Sequence, residues 1–264
     1  VLPGFLSILA LSILYAGFQD FTLVQAIFFG IKAAVLAVVI EAVLRIGKRV
    51  LKNHYMYMIA AAAFVAIFFL DLPFPLIIAT AALVGFIGSR IDPAHFVVIK
   101  GHQPQPGATE PAVDAMLTNG GQDHTRPNTA RTLRVAVIWL TLWFVPLIAL
   151  AAVLGSDNVF TQIGLFFSKL AVVTFGGAYS VLAYMAQEAV QNYAWLTPGE
   201  MLNGLGMAET TPGPLIQVTQ FVAFMGAFRD ASGLDPFTAG FLASILATWV
   251  TFVPCFLWIF IGAP

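Results

Sequence analysis

Apolar stretches long enough to cross a bilayer recur from one end of this chain to the other, and that recurrence dictates the solvent in which it folds. A spanning helix needs roughly 20 predominantly apolar residues. The candidates are Val1–Phe18, Phe21–Leu44, Met56–Leu70, Phe74–Ser89, Val135–Leu154 and Phe237–Ile261, with a more broken region, Phe160–Phe228, between the last two. Charged residues make up 9% of the 264 and hydrophobic residues 59%. A soluble domain carries about 25% charged residues, so these few cannot coat a soluble core. The expected fold class is all-α: a polytopic helical membrane protein with broken or re-entrant helices. A net charge of −1 favours no nucleic-acid partner. The single cysteine, Cys255, rules out a disulfide framework and a thiolate zinc cluster, and no cofactor or metal is expected.

Met56–Leu70 and Phe74–Ser89 are short, with Pro73 and Pro75 at their junction, and read as a tight helical hairpin with Asp71 at its turn. Basic residues set the orientation. Arg45, Lys48, Arg49 and Lys52 crowd the expected loop after Phe21–Leu44, and Arg126, Arg131 and Arg134 precede Val135. Two crossings separate these clusters, so both lie on the cytoplasmic side. Residues Ile91–Arg131 read as a polar linker without helical or strand periodicity. His95, His102 and His124 lie in or beside it, and their spacing matches no ligand motif, so they read as solvated histidines. The expected organisation is residues 1–90 as the end of one transporter half, 91–132 as a cytoplasmic linker and 133–264 as a second half. Leu2-Pro3-Gly4-Phe5-Leu6 echoes Val253-Pro254-Cys255-Phe256-Leu257. On that repeat, and with Val at position 1, the chain is expected to be truncated at both ends and unable to transport alone.

Two breaks mark the region before the last span. Phe175-Gly176-Gly177 divides Ile163–Thr174 from Tyr179–Asn192, and Thr211-Pro212-Gly213-Pro214 divides Pro198–Glu209 from Leu215–Phe228. Pro212 drives Thr211 out of the helical region, neither proline donates a backbone hydrogen bond, and Pro214 suits the first position of a new helix. Each flanking segment reaches only about 18–24 Å, short of a ~30 Å crossing. Each pair is thus a re-entrant hairpin or one long tilted, broken span. In both cases the first and last helices run in opposite directions, which gives inverted halves.

Free N–H groups and the partial positive charge of a helix start suit an anion. Gly176-Gly177-Ala178 opens one such helix and Pro214-Leu215-Ile216 another, and Thr174, Thr210, Thr211, Gln217 and Gln220 are at hand to complete a site. A helix end supplies up to ~2 kcal/mol, whereas taking an ion out of water costs several kcal/mol. A divalent anion therefore needs a full positive charge. Lys169, two turns before Gly176, and Lys32, midway through Phe21–Leu44, are the candidates. The bland alternatives stay open: Lys169 snorkels to an interface, Lys32 opens a shorter helix after Gly30, Gly176-Gly177 serves close packing, and Pro-Gly-Pro is a plain turn. Among the carboxylates, Glu41 is expected to pair with Arg45, Glu188 to sit near an interface with Asn192 and Trp195, and Glu209 to carry a coupling proton or to cap the cavity.

Phe175-Gly176-Gly177-Ala178-Tyr179, then Trp195-Leu196-Thr197-Pro198, then Glu209-Thr210-Thr211-Pro212-Gly213-Pro214 resembles, in order and spacing, the signature of the chromate ion transporter family. Gly30-Ile31-Lys32-Ala33-Ala34 and Pro3-Gly4-Phe5-Leu6 are similar to it too, so the resemblance covers nearly the whole chain. It implies export of chromate across the bacterial inner membrane, possible exchange with protons, ties to sulfate in some members, and long members fused from two homologous halves. Glu209 departs from the family pattern, which has Gln there. The expected function is thus a secondary transporter of divalent tetrahedral oxyanions, chromate first, with sulfate or an anion channel as alternatives. Its partners are the oxyanion and the bilayer, and homo-oligomerisation is left open. An intramembrane enzyme is disfavoured, because no His lies within an apolar segment and no paired acidic motif is present.

Overall fold

The computed structural model describes residues 1–70, 72–96, 129–173 and 178–262. All regular elements among them are helical: α1 (Leu2–Phe18), α2 (Thr22–Val50), α3 (His54–Phe68), α4 (Phe74–Ile91), a single turn α5 (Pro93–Phe96), α6 (Thr129–Leu154), α7 (Val159–Val173), α8 (Ala178–Gln187), α9 (Pro198–Thr210), α10 (Val218–Arg229) and α11 (Pro236–Gly262). Among the described residues α2, α4, α6 and α11 are long and apolar enough to cross a membrane, while α1 and α3 are shorter, at 17 and 15 residues. The outward faces of the long helices are apolar: Leu23 and Phe29 on α2 and Val153 on α6 are largely exposed. In water such surfaces would aggregate, and in lipid they are solvated. The protein is an all-α polytopic membrane protein.

Val1–Ile40 and Thr129–Ala263 make one compact unit, and Glu41–Asn128 a second. At the centre of the first lies α10. Every residue from Val218 to Ala227 is buried, because α1, α7, α9 and α11 all pack against it. A helix apolar all round needs neighbours on every side. A close fit is at Gly240 of α11, where a Cβ would stand 2.8 Å from the ring of the fully buried Phe224. On the other side of α11, Trp249 Nε1 donates to the Leu142 carbonyl of α6 at 2.9 Å.

In the second unit the basic residues are helical, not a loop: α2 runs on through Arg45, Lys48 and Arg49 to Val50. Their positive charges suit the carbonyl end of the helix, which is why charge alone does not end it. Glu41 pairs with Arg45 as expected, on an exposed face. Asn53 caps α3, its Oδ1 accepting from the Met56 N–H at 3.0 Å, and its amide donates to the His95 carbonyl. The expected linker is correspondingly shorter at both ends. Pro93–Phe96 is a helical turn, and α6 already begins at Thr129. His95 is engaged rather than simply solvated, with Nδ1 2.7 Å from the Asp92 carboxylate and its ring edge-on to Tyr55. Asp71, His102, His124 and Arg126 lie outside the described residues.

Overpacking the central seam is expected to cost about 1–3 kcal/mol. Gly240→Val should therefore lower the unfolding temperature of the detergent-solubilised protein. Gly85→Ala, where nothing stands within 4 Å of the new methyl group, should leave it unchanged or slightly raised.

Candidate functional site

The first turn of α9 is built from a local pattern and one distant cation. Thr197 is the N-cap, and Pro198 at the first helical position lacks the N–H that would be unpaired there. The Glu200 N–H donates to Thr197 Oγ1 at 3.4 Å, while the Thr197 N–H and hydroxyl donate to Glu200 Oε2 at 2.8 and 2.9 Å. Arg229, at the end of α10, completes the arrangement by donating to Glu200 Oε1 and to the Trp195 carbonyl, each at 2.5 Å. Trp195 stacks on Tyr193, ring centres 4.3 Å apart, and lies over Gly226, where a Cβ would meet the indole at 3.0 Å. The Trp195-Leu196-Thr197-Pro198 block thus serves as a structural clamp. Glu200 and Arg229 were not singled out in the sequence. The available signal was the capping box Thr197-Pro198-Gly199-Glu200 ahead of an apolar run.

α1 lies antiparallel along α9, with Gly4 meeting Pro212 at one end and Tyr15 meeting Asn203 at the other. α2 crosses the same helix. Ile31 fills the space that a Cβ at Gly206 would take, and Lys32 Nζ lies 3.9 Å from the corresponding position at Gly199. These three helices enclose a polar pocket of about 340 Å³ lined by Tyr15, Asp20, Gln25, Phe28, Lys32 and Asn203, among others. Lys32 is half-buried and, among the described residues, has no ion-pair or hydrogen-bond partner. The charge of nearly buried Glu200 is taken up by Arg229 and Thr197, and Asp20 is exposed. Lys32 therefore stands without a bonded counter-ion beside the positive end of α9, in a pocket whose rim also carries the exposed Asp20, and an anion placed there would be attracted to both the ammonium and the helix end. Two larger grooves, of about 410 and 490 Å³ beside Trp249, are almost wholly apolar and offer an ion nothing.

The Pro-Gly-Pro break forms as expected, but the helix after it opens later. Thr211 is extended (φ −102°, ψ 152°), and Pro214 is extended too (φ −73°, ψ 137°), preceding a 3₁₀ turn, Leu215–Gln217. Pro214 therefore caps that turn, its carbonyl accepting from the Gln217 N–H at 2.9 Å, and does not occupy the first position of α10, which begins at Val218. Gly213 has φ +145°, a conformation that side chains oppose. A Cβ on Gly4 would stand 2.7 Å from the Pro212 carbonyl oxygen, and one on Gly213 3.3 Å from Gly4 Cα. Main chain meets main chain here. Beneath the crossing Gln217 donates to Gln220 Oε1 at 3.3 Å, and Gln220 donates to the Phe5 carbonyl at 3.0 Å. α8, which follows Gly176-Gly177 in the sequence, packs against the same 3₁₀ turn.

The remaining candidates are dispersed. Thr210 turns its hydroxyl back to the Gly206 carbonyl at 2.8 Å, and Glu209 is half-buried. Lys169, on α7, is exposed, with its ammonium 5.5 Å from the centre of the Tyr184 ring. Among the described residues no bond joins it to Lys32 or to the Pro212–Pro214 turn. Glu188 accepts from Asn192 at 2.7 Å. Thr174, Gly176 and Gly177 lie outside the described residues.

An interrupted helix beside buried polar groups, set in an apolar helical frame, is the kind of arrangement in which secondary transporters place their sites. The chain belongs to the chromate transporter family, whose model matches residues 1–86 and 161–264. It is similar to a chromate transport protein of Pseudomonas aeruginosa, 30% identical over 85% of this chain and 47% of that protein. It is also similar to one of Cupriavidus metallidurans, 25% identical over 100% of this chain and 54% of the other. A probable chromate transport protein of Synechococcus elongatus is 24% identical over 100% of this chain and 55% of its own length. The chain spans about half the length of these relatives. No solved structure matches it.

Glu200→Gln strands the Arg229 charge. The expected loss is about 2 kcal/mol, below the ~3–5 of a fully buried pair because Arg229 keeps part of its side chain in solvent. Denaturant unfolding in detergent reads it directly. Gly213→Ala, which combines an opposed φ with contact to Gly4, is expected to cost about 1–3 kcal/mol in the same measurement.

Proposed function

We propose that the protein is a secondary transporter that exports chromate, a divalent tetrahedral oxyanion, across the bacterial inner membrane. The observation that supports this reading best is Lys32: a cation on a membrane helix, without a bonded counter-ion, facing a polar pocket in a largely apolar bundle. A resident lysine with no partner is costly in such a place, and an anionic substrate offsets the cost each time it binds. The names borne by the relatives from Pseudomonas aeruginosa and Cupriavidus metallidurans point to chromate as that substrate.

In this reading the segment through Ile91 and the segment from Thr129 belong to two inverted, related halves, and the chain between them joins them on the cytoplasmic side. The breaks at Gly176-Gly177 and Pro212-Gly213-Pro214 bring helix ends toward a site shared between the halves, with Thr174, Thr211 and Gln217 beside it. Packing of α8 against the 3₁₀ turn after Pro-Gly-Pro is in keeping with that convergence. Lys169 balances part of the dianion's charge from the second half, and Glu209, half-buried two residues before a break, carries a coupling proton. No catalytic step is assigned to any residue.

Chromate uptake into everted vesicles carrying the protein is expected to saturate, to follow an imposed proton gradient and to be inhibited by excess sulfate. Lys32→Ala should reduce it about tenfold or more, and Lys169→Ala to a lesser degree. Near-ohmic chromate current in place of saturable uptake would make the protein a channel. Uptake untouched by Lys32→Ala would remove the pocket from the substrate path.

A further inference from the structure

α2 is longer than a membrane crossing requires, and its surplus end is chemically two-sided. Its 29 residues extend about 43 Å, whereas the hydrocarbon core is ~30 Å thick and takes roughly 20 residues. A crossing that starts at Thr22 is complete near Glu41, and Lys32 is the one charged residue of α2 before that point. The rest of the helix, about 13 Å of it, stands at the level of the lipid headgroups.

In that surplus, at about 100° per residue, Arg45, Lys48 and Arg49 fall within an arc of roughly 100°. Lys52, just past the helix, turns its ammonium back to the Lys48 carbonyl at 3.2 Å and so extends the same stripe. All four side chains are exposed. Val43, Ile46 and Val50 occupy the opposite side, and they are exposed as well. The carboxylates at this end are already engaged. Glu41 is on the basic side and pairs with Arg45, and Asp92, beyond the end of α4, is held by His95. Lys48, Arg49 and Lys52 have no ion-pair partner among the described residues.

An orientation signal needs cations in number, not on one side of a helix. A cationic stripe backed by an uncovered apolar side fits a boundary between phosphate and hydrocarbon, and its sign complements an anionic leaflet. We propose that Lys48, Arg49 and Lys52, bordered by Arg45, form a binding surface for the headgroup phosphate of anionic phospholipid. Val43, Ile46 and Val50 lie against the upper part of the acyl chains. Lipid held there fixes the depth of α2 in the membrane, and with it the depth of Lys32 on the same helix. The surface does not depend on which substrate the protein carries.

The test is thermal unfolding of the purified protein in neutral detergent micelles doped with phosphatidylglycerol or with phosphatidylcholine at matched mole fraction. Phosphatidylglycerol is expected to raise the unfolding temperature by about 2–6 °C at low salt, and the rise should shrink as salt is added. Phosphatidylcholine and inorganic phosphate should leave it unchanged. In the triple variant Lys48→Gln, Arg49→Gln, Lys52→Gln, the half-saturating fraction of phosphatidylglycerol should increase about fivefold for each charge removed. Adding Val43→Lys and Ile46→Lys to that variant returns cations to the opposite side and should not restore binding. Equal stabilisation by phosphatidylcholine overturns the surface, as does a triple variant that keeps the wild-type response. Stabilisation by inorganic phosphate alone replaces the lipid with a free anion and overturns it too. Restoration by the relocated lysines shows that the number of charges matters and the stripe does not, which overturns the surface as well. If the triple variant is not produced, Lys52→Gln alone decides: a roughly fivefold shift supports the surface, and no shift overturns it.

Discussion

The ion pair between Arg229 and Glu200 is the contact from which the polar interior hangs. It joins the last turn of α10 to the first turn of α9 and takes in the Trp195 carbonyl on the way. α10 is buried from Val218 to Ala227, which anchors its last turn, and the pair ties α9 to that turn. Asn203 lies one turn beyond Glu200, and Gly199 and Gly206 receive α2 on the same short helix. Without the pair, α9 would keep its cap but lose its register against the core. The pair also takes up the carboxylate charge nearest the start of α9, so that Lys32 forms no ion pair with it.

Apolar runs and breaker residues were legible because they act locally. The long helices fall where the apolar runs are, and Pro212 ends α9 near where its missing N–H and its pressure on Thr211 require. The errors lie at the boundaries. α2 continues through Arg45 and Arg49 because basic residues are good helix formers and suit its carboxyl end. Pro214 takes an extended conformation because the chain turns through a 3₁₀ segment before α10 starts.

Lys32 could be found from sequence as a charge in an apolar run. Tyr15, Asn203 and Arg229 could not, for a different reason. Each gains its meaning from a partner far along the chain: Tyr15 and Asn203 are 188 residues apart, and Arg229 and Glu200 are 29 apart. No periodic pattern encodes such a meeting. The glycines of α9 are similar. A helix interior disfavours glycine, and the structure shows these as the surfaces on which α2 and α10 rest.

The contact between Gly4 and the Pro212-Gly213 main chain has a mechanical consequence. With no side chain between them, the two segments touch at one tight point, and it lies at one end of α1. Tyr15 lies three turns away, about 16 Å along the axis. A displacement of α1 is resisted most where clearance is least, so the crossing behaves as a fulcrum and the helix as a lever. A rotation of about 10° there carries the tyrosine hydroxyl roughly 3 Å, the length of one hydrogen bond. A small tilt at the glycines is thus enough to make or break the grip on Asn203.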